Sequence, residues 1–408
     1  MQKALLIIFL IILSNDVFSQ TINDNKVSFE YTQLPLIKVR KDFQIYDTKI
    51  NHAYLESNKD SLTIYEARKN AAKLNYEAMY SAYKQKYNTL QIAYFQQLSS
   101  WEQKINAGQT QSNGAAFPKP NSPIYPSAPT YLDVKEPRLN SELDEENTLN
   151  EFSIEGFEKG LGGSVLTIDI QAIRGINIVH KKTGSGVKTK HTYYCEFNLP
   201  ILVKFETPTD GIILQEILFQ NKSKMKMKDQ KSHYDHLVYM LQNETLFYNN
   251  LEVYARNAAI KAANAYINNQ LGYVKKQRNT EVYSVKRFKK HDYTDVTKAF
   301  STTVSALREV SKDNDHSGAR EKLDAALASW KDIMFESNDY DNKARINDKI
   351  SAVIWCNIAE IQFWLNNFDE QRSASDLALN LKVIKAKNHV QRMKSFYSTQ
   401  QTRWNVHY

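Results

Sequence analysis

The stretch "YEAMYSAYKQKYNTLQIAY", residues 76–94, repeats large side chains at alternating intervals of four and three residues. This spacing is close to a heptad and predicts a helix with one packing stripe. Tyrosine suits a surface that is only partly covered, because its ring is apolar while its hydroxyl reaches water or a backbone group. We call this stripe the tyrosine seam; its members are Tyr76, Tyr80, Tyr83, Tyr87, Leu90, Tyr94 and Trp101.

Three kinds of partner are consistent with the seam. The chain's own connector is one, with prolines such as Pro118, Pro120 and Pro126 lying across the rings. A partner helix or a second copy of the chain is another, and a sugar that stacks on the rings is the third. The sequence favours the connector and leaves the other two open.

The seam lies within residues 59–107, which we predict to form a long protruding helix. Neither proline nor glycine interrupts the run from Asp60 to Ile105, and good helix formers dominate it. A single helix of this length would extend about 70 Å at 1.5 Å per residue. The segment "YNT", 87–89, is the one place where the run could instead fold back as a hairpin, so both forms remain open.

Residues 108–150 are predicted to be a proline-rich connector that ends in an acidic loop. The segment "NGAAFPKPNSPIYPSAPTYLDVKEPRLN", 113–140, holds most of the prolines of the chain. Because proline fixes φ and removes a donor, this segment should run as extended polyproline II. The acidic group Asp144, Glu145 and Glu146 is interpreted as solvated charge or the start of a helix rather than an acid–base pair.

Residues 151–222 have the alternation of β-strands and predict a small antiparallel β domain, either a sheet or a sandwich. Two hairpins are expected, one turning at Thr183–Gly186 and the other at Pro208–Gly211. Within residues 20–58, the strand pattern at 27–34 is predicted to add a further strand to this domain. The helix and the connector would then be one long excursion from the β domain.

Residues 223–408 are predicted to be helical, and the last helix pair resembles a tetratricopeptide repeat (TPR). The matching positions are Trp355, Ile358, Ala359, Phe368 and Ala378, and the preceding pair matches through Ala319, Leu323 and Ala326. Three positions depart from the repeat pattern, namely Gln362, Gln371 and Ser375. The resemblance implies stacked helical hairpins with a curved face for a protein partner.

The first residues predict a secretory signal peptide over 1–19. Lys3 precedes the apolar run "ALLIIFLIIL", which is too short to span a bilayer as a finished helix, and small residues lie near the expected cleavage site. The "FSQ" site and the order of segments resemble secreted proteins of Bacteroidota that have no assigned function. This resemblance implies a periplasmic or outer-membrane-associated location. No transmembrane span is expected in the mature chain, because no later stretch approaches the roughly 20 apolar residues of a membrane span.

The two cysteines, Cys195 and Cys356, exclude a disulfide-rich scaffold. One bridge between them is chemically allowed in an oxidising compartment, but separate buried thiols are favoured, since one lies in a strand pattern and the other in a distant helix. In a strand, the four-residue spacing from His191 to Cys195 corresponds to about 13 Å, too far for a catalytic thiolate–imidazole pair.

The histidines are candidate metal ligands with weak signals. His233 and His236 in "HYDH" share a helix face, but no HExxH motif accompanies them. His180 and His191 lie on the two arms of the first hairpin, roughly symmetric about its turn, so they are candidates to face each other. We therefore predict no metal, no cofactor and no catalytic residue.

Lysine-rich segments on both sides of the long helix predicted after residue 232 are candidate anion-binding sites. Their members are Lys222, Lys224, Lys226, Lys228, Lys286, Arg287, Lys289 and Lys290. The formal net charge of +8 also suggests an anionic partner. The competing interpretation is that alternating lysines protect an exposed sheet edge from pairing.

The sequence as a whole predicts an α+β protein with a small antiparallel β domain, a protruding helix and an all-α TPR-like domain. The expected function is that of a non-catalytic envelope scaffold or accessory subunit that binds another protein. A module that binds envelope glycan or anionic lipid is the alternative, and a hydrolase with an unidentified site is the second alternative. Nucleic acid is not an expected partner.

Overall fold

The computed structural model describes residues 21–161, 163–186, 189–227, 229–287 and 291–408. The predicted signal peptide and the candidate anion-binding residues Lys228, Lys289 and Lys290 lie outside these residues. The α+β class is confirmed, since sheets and one long helix make up the first half of the described chain and helices most of the second.

The described strands and helices are as follows. The strands are β1 (Thr21–Gln33), β2 (Ile45–Asn51), β3 (Glu158–Lys159), β4 (Ser164–Ile170), β5 (Arg174–Thr183), β6 (Lys190–Asn198), β7 (Ile201–Thr207), β8 (Gly211–Leu218), β9 (Ser223–Lys226) and β10 (Val274–Arg287). The α-helices are α1 (Ala53–Asn106), α2 (Glu145–Asn150), α3 (His233–Leu271), α4 (Thr294–Leu307), α5 (Arg320–Met334), α6 (Asp348–Trp364), α7 (Phe368–Asn380) and α8 (Ile384–His407).

Two sheets form the β half of the molecule. A five-stranded sheet has the order β3-β2-β4-β7-β8, and a three-stranded sheet has the order β5-β6-β9. Both predicted hairpins, β5–β6 and β7–β8, are present. The prediction that all these strands are antiparallel is wrong, because β2 runs parallel to β3 and β4. The alternation in these strands indicates one buried face but does not specify strand direction.

Helix α3 packs on these sheets, so the predicted boundary at residue 222 is wrong. Strand β9 continues the three-stranded sheet beyond that residue. The buried side of α3 includes Ala255, Ala259 and Ala263, which share a core with strand residues such as Ile168. Alanines at four-residue spacing let the helix backbone approach a sheet closely. The helix has a kink at Asn243, whose φ is −128°, and it ends at Leu271, beside Gly272.

Strand β1 does not join the β half as predicted. It pairs along its whole length with β10, in an antiparallel register that sets Val27 opposite Thr280 and Gln33 opposite Val274. Its inward side chains enter the core of the helical half, where the Phe29 ring lies 5.3 Å from the Trp364 ring. The pattern of residues 27–34 was correct, but the partner strand was hidden because "KKQR" reads locally as a basic loop.

The predicted excursion exists, but it starts from β2 rather than from the strand at 27–34. Helix α1 follows β2 after a single residue, His52. Buried Tyr54 accepts a hydrogen bond at its hydroxyl from the Leu143 backbone N–H at 2.9 Å. Asn58 donates to the Asn140 carbonyl at 2.8 Å and accepts from its N–H at 2.8 Å. The two ends of the excursion therefore meet at the sheet.

The helical half is built around a fully buried carboxylate, Glu360. It accepts hydrogen bonds from the Tyr397 hydroxyl at 2.6 Å and the Trp364 indole at 3.0 Å, and it pairs with Arg278 of β10 at 3.3 Å. Burial alone would raise the pKa of Glu360, but the charge of Arg278 and these hydrogen bonds hold it below its usual value. The ribbon of β1 and β10 is thus tied electrostatically to the helices.

Helix α8 fastens the helical half to the β half. Arg403 donates to the Leu34 carbonyl at 2.7 Å and to the Asn269 side-chain oxygen at 2.6 Å. The His407 carbonyl accepts from the Lys38 ammonium at 2.6 Å. One helix therefore contacts the end of α3 and the segment that joins β1 to β2.

We expect the excursion to be dispensable for folding of the rest. Replacing residues 60–134 with a flexible ten-residue linker should change the unfolding free energy by less than about 1 kcal/mol, because loop length has a small entropic cost. Urea denaturation followed by the fluorescence of the remaining tryptophans measures this. Aggregation or a lost cooperative transition would contradict the expectation.

Acid should destabilise the helical half through His316. This buried ring lies 5.0 Å from the Trp364 ring, and burial lowers its pKa from 6.5 to about 4. In the window between these values the unfolded chain binds more protons, so unfolding free energy falls as pH falls. His316 has φ of 64°, which asparagine tolerates. On lowering the pH from 7 to 4.5, the unfolding free energy of His316→Asn should fall by about 2 kcal/mol less than that of the unsubstituted chain. Urea denaturation at the two pH values measures this. Equal decreases in the two proteins would contradict the role of His316.

Candidate interaction surface

Helix α1 and the connector form a single projecting hairpin, which we call the stalk and define as residues 59–139. The helix is continuous through Ala53–Asn106, so the single-helix form is the correct one of the two left open. The connector, 109–139, contains neither helix nor strand. At 1.5 Å per residue, the 54-residue helix is about 80 Å long.

The connector returns along the tyrosine seam in an antiparallel sense. The Trp101 indole donates to the Phe117 carbonyl at 2.8 Å, and the rings of Tyr87 and Tyr125 stack at 4.4 Å. Nearer the base of the stalk, the Tyr76 ring meets the Tyr131 ring edge-on at 5.5 Å. The favoured interpretation is confirmed, since the chain's own connector covers the seam. The seam is therefore not the open platform that sugar stacking requires.

Length matching explains how so short a connector covers so long a helix. From Trp101 to Asn58 the helix rises about 65 Å at 1.5 Å per residue, and from Phe117 to Asn140 an extended chain covers about 71 Å at 3.1 Å per residue. Each connector residue therefore lies alongside about two helix residues. Tyrosines bridge the difference by stacking on each other, as in the Tyr76–Tyr80 contact at 5.9 Å.

The outward side of the stalk keeps large apolar side chains in solvent. Leu74 is 67% exposed, Ile92 58% and Phe95 56%. On the connector, Ile124 is 95% exposed and Leu132 78%. A shallow groove of about 560 Å³ near the tip is lined by Trp101, Phe117, Pro118 and Pro120 among others. Exposed apolar groups along a projecting element are typical of a protein-binding surface.

The lysines of the first basic segment protect a sheet edge. Strand β9 is an edge strand, and Lys222 and Lys224 both pair with Glu196, at 3.5 and 2.9 Å. Lys226 pairs with Asp229 at 3.3 Å. The hydrogen bond from Lys224 lowers the pKa of Glu196 despite the opposing effect of burial. These lysines are engaged with carboxylates, so the candidate anion site is not assembled here.

The second basic segment lies at the end of β10, in a different sheet from β9. Lys286 is exposed there, and the backbone of Arg287 pairs with Thr21. The side chain of Arg287, together with Lys289 and Lys290, lies outside the described part. The described members of the two basic groups therefore lie on strands of different sheets and do not form one cluster.

Both thiols are buried and unpaired, as the sequence favoured. Burial raises the pKa of Cys195 to about 11 and raises that of Cys356 as well. Neither thiol is therefore a thiolate at neutral pH. In the acidic group, Asp144 caps α2 by accepting from the Asn147 N–H at 3.1 Å, so a helix start is the correct interpretation.

A groove of about 580 Å³ lies between β1, β10 and α8. Its charged groups pair with each other: Lys385 lies 2.9 Å from Asp24, and Arg392 lies 2.5 Å from Glu281. Tyr283 also donates its hydroxyl proton to Glu281 at 2.9 Å. Each of these charged side chains already has a partner of opposite charge. The groove is therefore better described as a packing interface between the β1–β10 ribbon and α8 than as a ligand pocket.

The comparisons with known proteins identify no relative: no family model, no curated protein and no solved structure matches this chain. The resemblance to TPR proteins therefore stays a prediction. Within the described part of the chain, no helix combines the length and the apolar character that crossing a bilayer demands.

Truncating one ring of the seam should loosen the connector. Tyr87→Ala removes the stack with Tyr125, and an aromatic pair is worth about 1 kcal/mol, so the open state should rise about fivefold. A broad-specificity protease should then cut within 109–135 correspondingly faster. The matched control is Leu74→Ala, at an exposed position outside the seam, which should leave the rate unchanged. Equal rates in Tyr87→Ala and the unsubstituted chain would contradict the role of the seam.

Proposed function

We propose that this protein is a non-catalytic secreted component of the cell envelope, a scaffold or accessory subunit of a periplasmic or outer-membrane complex. The stalk is the observation that carries the proposal. It is a long element closed on itself by the connector, and it carries exposed apolar side chains away from the sheet. A partner protein is the ligand class that such a surface suits.

The construction of the stalk favours binding without large rearrangement. Its inner side is occupied by the connector, which is held by the Trp101–Phe117 hydrogen bond and the Tyr87–Tyr125 stack. Only its outer side is left for a partner. A surface that is ordered before binding loses less conformational entropy on association, so modest contact area can still give useful affinity.

The helical half supports a second contact surface. Helices α6 and α7 pack as neighbours, and Ala359 and Ala378, two of the residues that resemble TPR positions, are buried. After α5, the side chains of Phe335 and Tyr340 are 87% and 102% exposed. Aromatic side chains are enriched at the centres of protein interfaces.

The envelope location rests on the sequence of the first 19 residues, which has the charge, apolar run and small residues of a signal peptide. The alternative of an anionic lipid or glycan module receives less support, because Lys222, Lys224 and Lys226 are paired with carboxylates. Ion pairing reduces the positive charge available to an anionic ligand.

Site-specific photo-crosslinking in envelopes of the source organism tests the proposal. A photoreactive phenylalanine analogue in place of exposed Phe95 should yield a discrete adduct with an envelope protein. The same analogue in place of Tyr234, which is 73% exposed at the start of α3 and lies outside residues 59–139, is the matched control and should yield no adduct. The adduct is then identified by mass spectrometry.

Two results would contradict the scaffold role. In one, the variant with residues 60–134 replaced by the linker co-purifies with the same envelope proteins, and in the same yield, as the unsubstituted chain. The other is a hydrolytic activity of the purified protein that a single Asp or Glu substitution abolishes. Binding to anionic vesicles that is lost in moderate salt, with no protein adduct, would instead support the lipid alternative.

A further inference from the structure

Four histidines from separate parts of the chain meet around one tyrosine. The Tyr193 ring is stacked with the His180 ring at 4.6 Å and with the His236 ring at 3.6 Å, and its hydroxyl lies 2.9 Å from Nδ1 of His233. His191 completes the group, because its Nδ1 lies 2.9 Å from Nε2 of His180. Sequence reasoning considered the two histidine pairs separately and did not bring them together.

The fold explains this convergence. In the β5–β6 ladder His180 is opposite Tyr193, while His191 is two residues before Tyr193 on the same face. Ser232 caps α3 by accepting from the Asp235 N–H at 3.1 Å. This cap fixes the start of the helix, so His233 and His236, three residues apart, both face the sheet. His236 is buried, whereas the His180–His191 pair lies at the surface.

The spacing of the two surface nitrogens suits one particular coordination geometry. The two nitrogens lie 2.9 Å apart. For a metal ion that is 2.0–2.1 Å from each of them, the N–metal–N angle is roughly 90°. Square-planar and tetragonal sites have this angle between neighbouring ligands, and Cu(II) and Ni(II) prefer them. A tetrahedral zinc site would need about 3.3 Å between the nitrogens.

We propose that Nε2 of His180 and Nδ1 of His191 form a two-histidine site for a square-planar divalent ion, copper(II) in preference to nickel(II). Copper forms the more stable complexes with such nitrogen ligands in the Irving–Williams order. Within the described residues no three His, Cys, Asp or Glu side chains are placed to share an ion, so solvent fills the remaining positions. The two rings are parallel to within 3° and their centroids lie 5.0 Å apart, so in the hydrogen-bonded state the two nitrogens point approximately at each other. Each ring has to turn by on the order of 30° to direct its lone pair at a shared ion, because that ion lies off the line between the nitrogens. The shared proton moves to the other nitrogen of its ring, so both ligands stay neutral.

Ring contacts hold the first ligand in place. The stack on Tyr193 orients the His180 ring, and the Tyr193–His233 contact in turn fixes the tyrosine. The site is independent of the proposed scaffold role.

The test uses the full mature chain without a histidine tag and CuCl2 in a non-coordinating buffer at pH 7. Titration calorimetry should show one copper ion per chain, and electron paramagnetic resonance should show a tetragonal signal with nitrogen hyperfine coupling. His191→Asn and His180→Phe, the latter keeping the stack on Tyr193, should each weaken binding by at least about tenfold, since loss of even a supporting contact costs that much.

His291→Asn is the matched control, because His291 is an exposed histidine far from β5 and β6 in the sequence; it should bind copper like the unsubstituted chain. Near-ultraviolet circular dichroism checks that each variant is folded. Unchanged copper affinity in both His180→Phe and His191→Asn would overturn the proposal. Tighter binding of zinc than of copper by the unsubstituted chain would also overturn it, because that result contradicts the square-planar geometry.

Discussion

The antiparallel ladder between β1 and β10 is the constraint on which the rest of the structure depends. It joins 13 consecutive residues near the start of the chain to a strand more than 250 residues later. On one face it supplies Phe29 and Tyr31 to the helical core, and through Arg278 it neutralises buried Glu360. Removing one partner of such a pair leaves an uncompensated buried charge, so the ribbon and the helices stabilise each other.

The stalk follows a different principle from the rest of the molecule. Its helix satisfies its own backbone hydrogen bonds, so the connector need only cover side chains. An extended segment advances about twice as far per residue as a helix, and stacked tyrosines accommodate the unequal spacing. Tyrosine suits this arrangement because rings such as those of Tyr76 and Tyr87 reach across to the connector. A hydroxyl such as that of Tyr94 can still form a hydrogen bond, here by accepting from the Ser122 hydroxyl.

Local patterns in the sequence were good guides wherever one segment decides the outcome. The connector was the favoured cover of the seam, and the alternating lysines of β9 indicated an exposed sheet edge. Errors arose at long-range pairing. Alternation at 27–34 shows that one face is buried but does not show which element covers it. In "KKQR" of β10, two exposed lysines precede Arg278, whose buried charge is paired with Glu360, more than 80 residues away in the sequence. The apolar side of α3 was similarly ambiguous between a sheet and other helices.

The sequence by itself determined the helix of the stalk, its aromatic stripe, the extended connector, the two hairpins and the helical second half. Each of these depends on periodicity or on turn residues that are adjacent in the chain. Only the tertiary structure decided that β1 pairs with β10, that α3 packs on the sheets, and that His180, His191, His233 and His236 surround Tyr193. The physical reason is that a buried face is a local property, whereas its partner depends on the competition among all the faces that the chain offers.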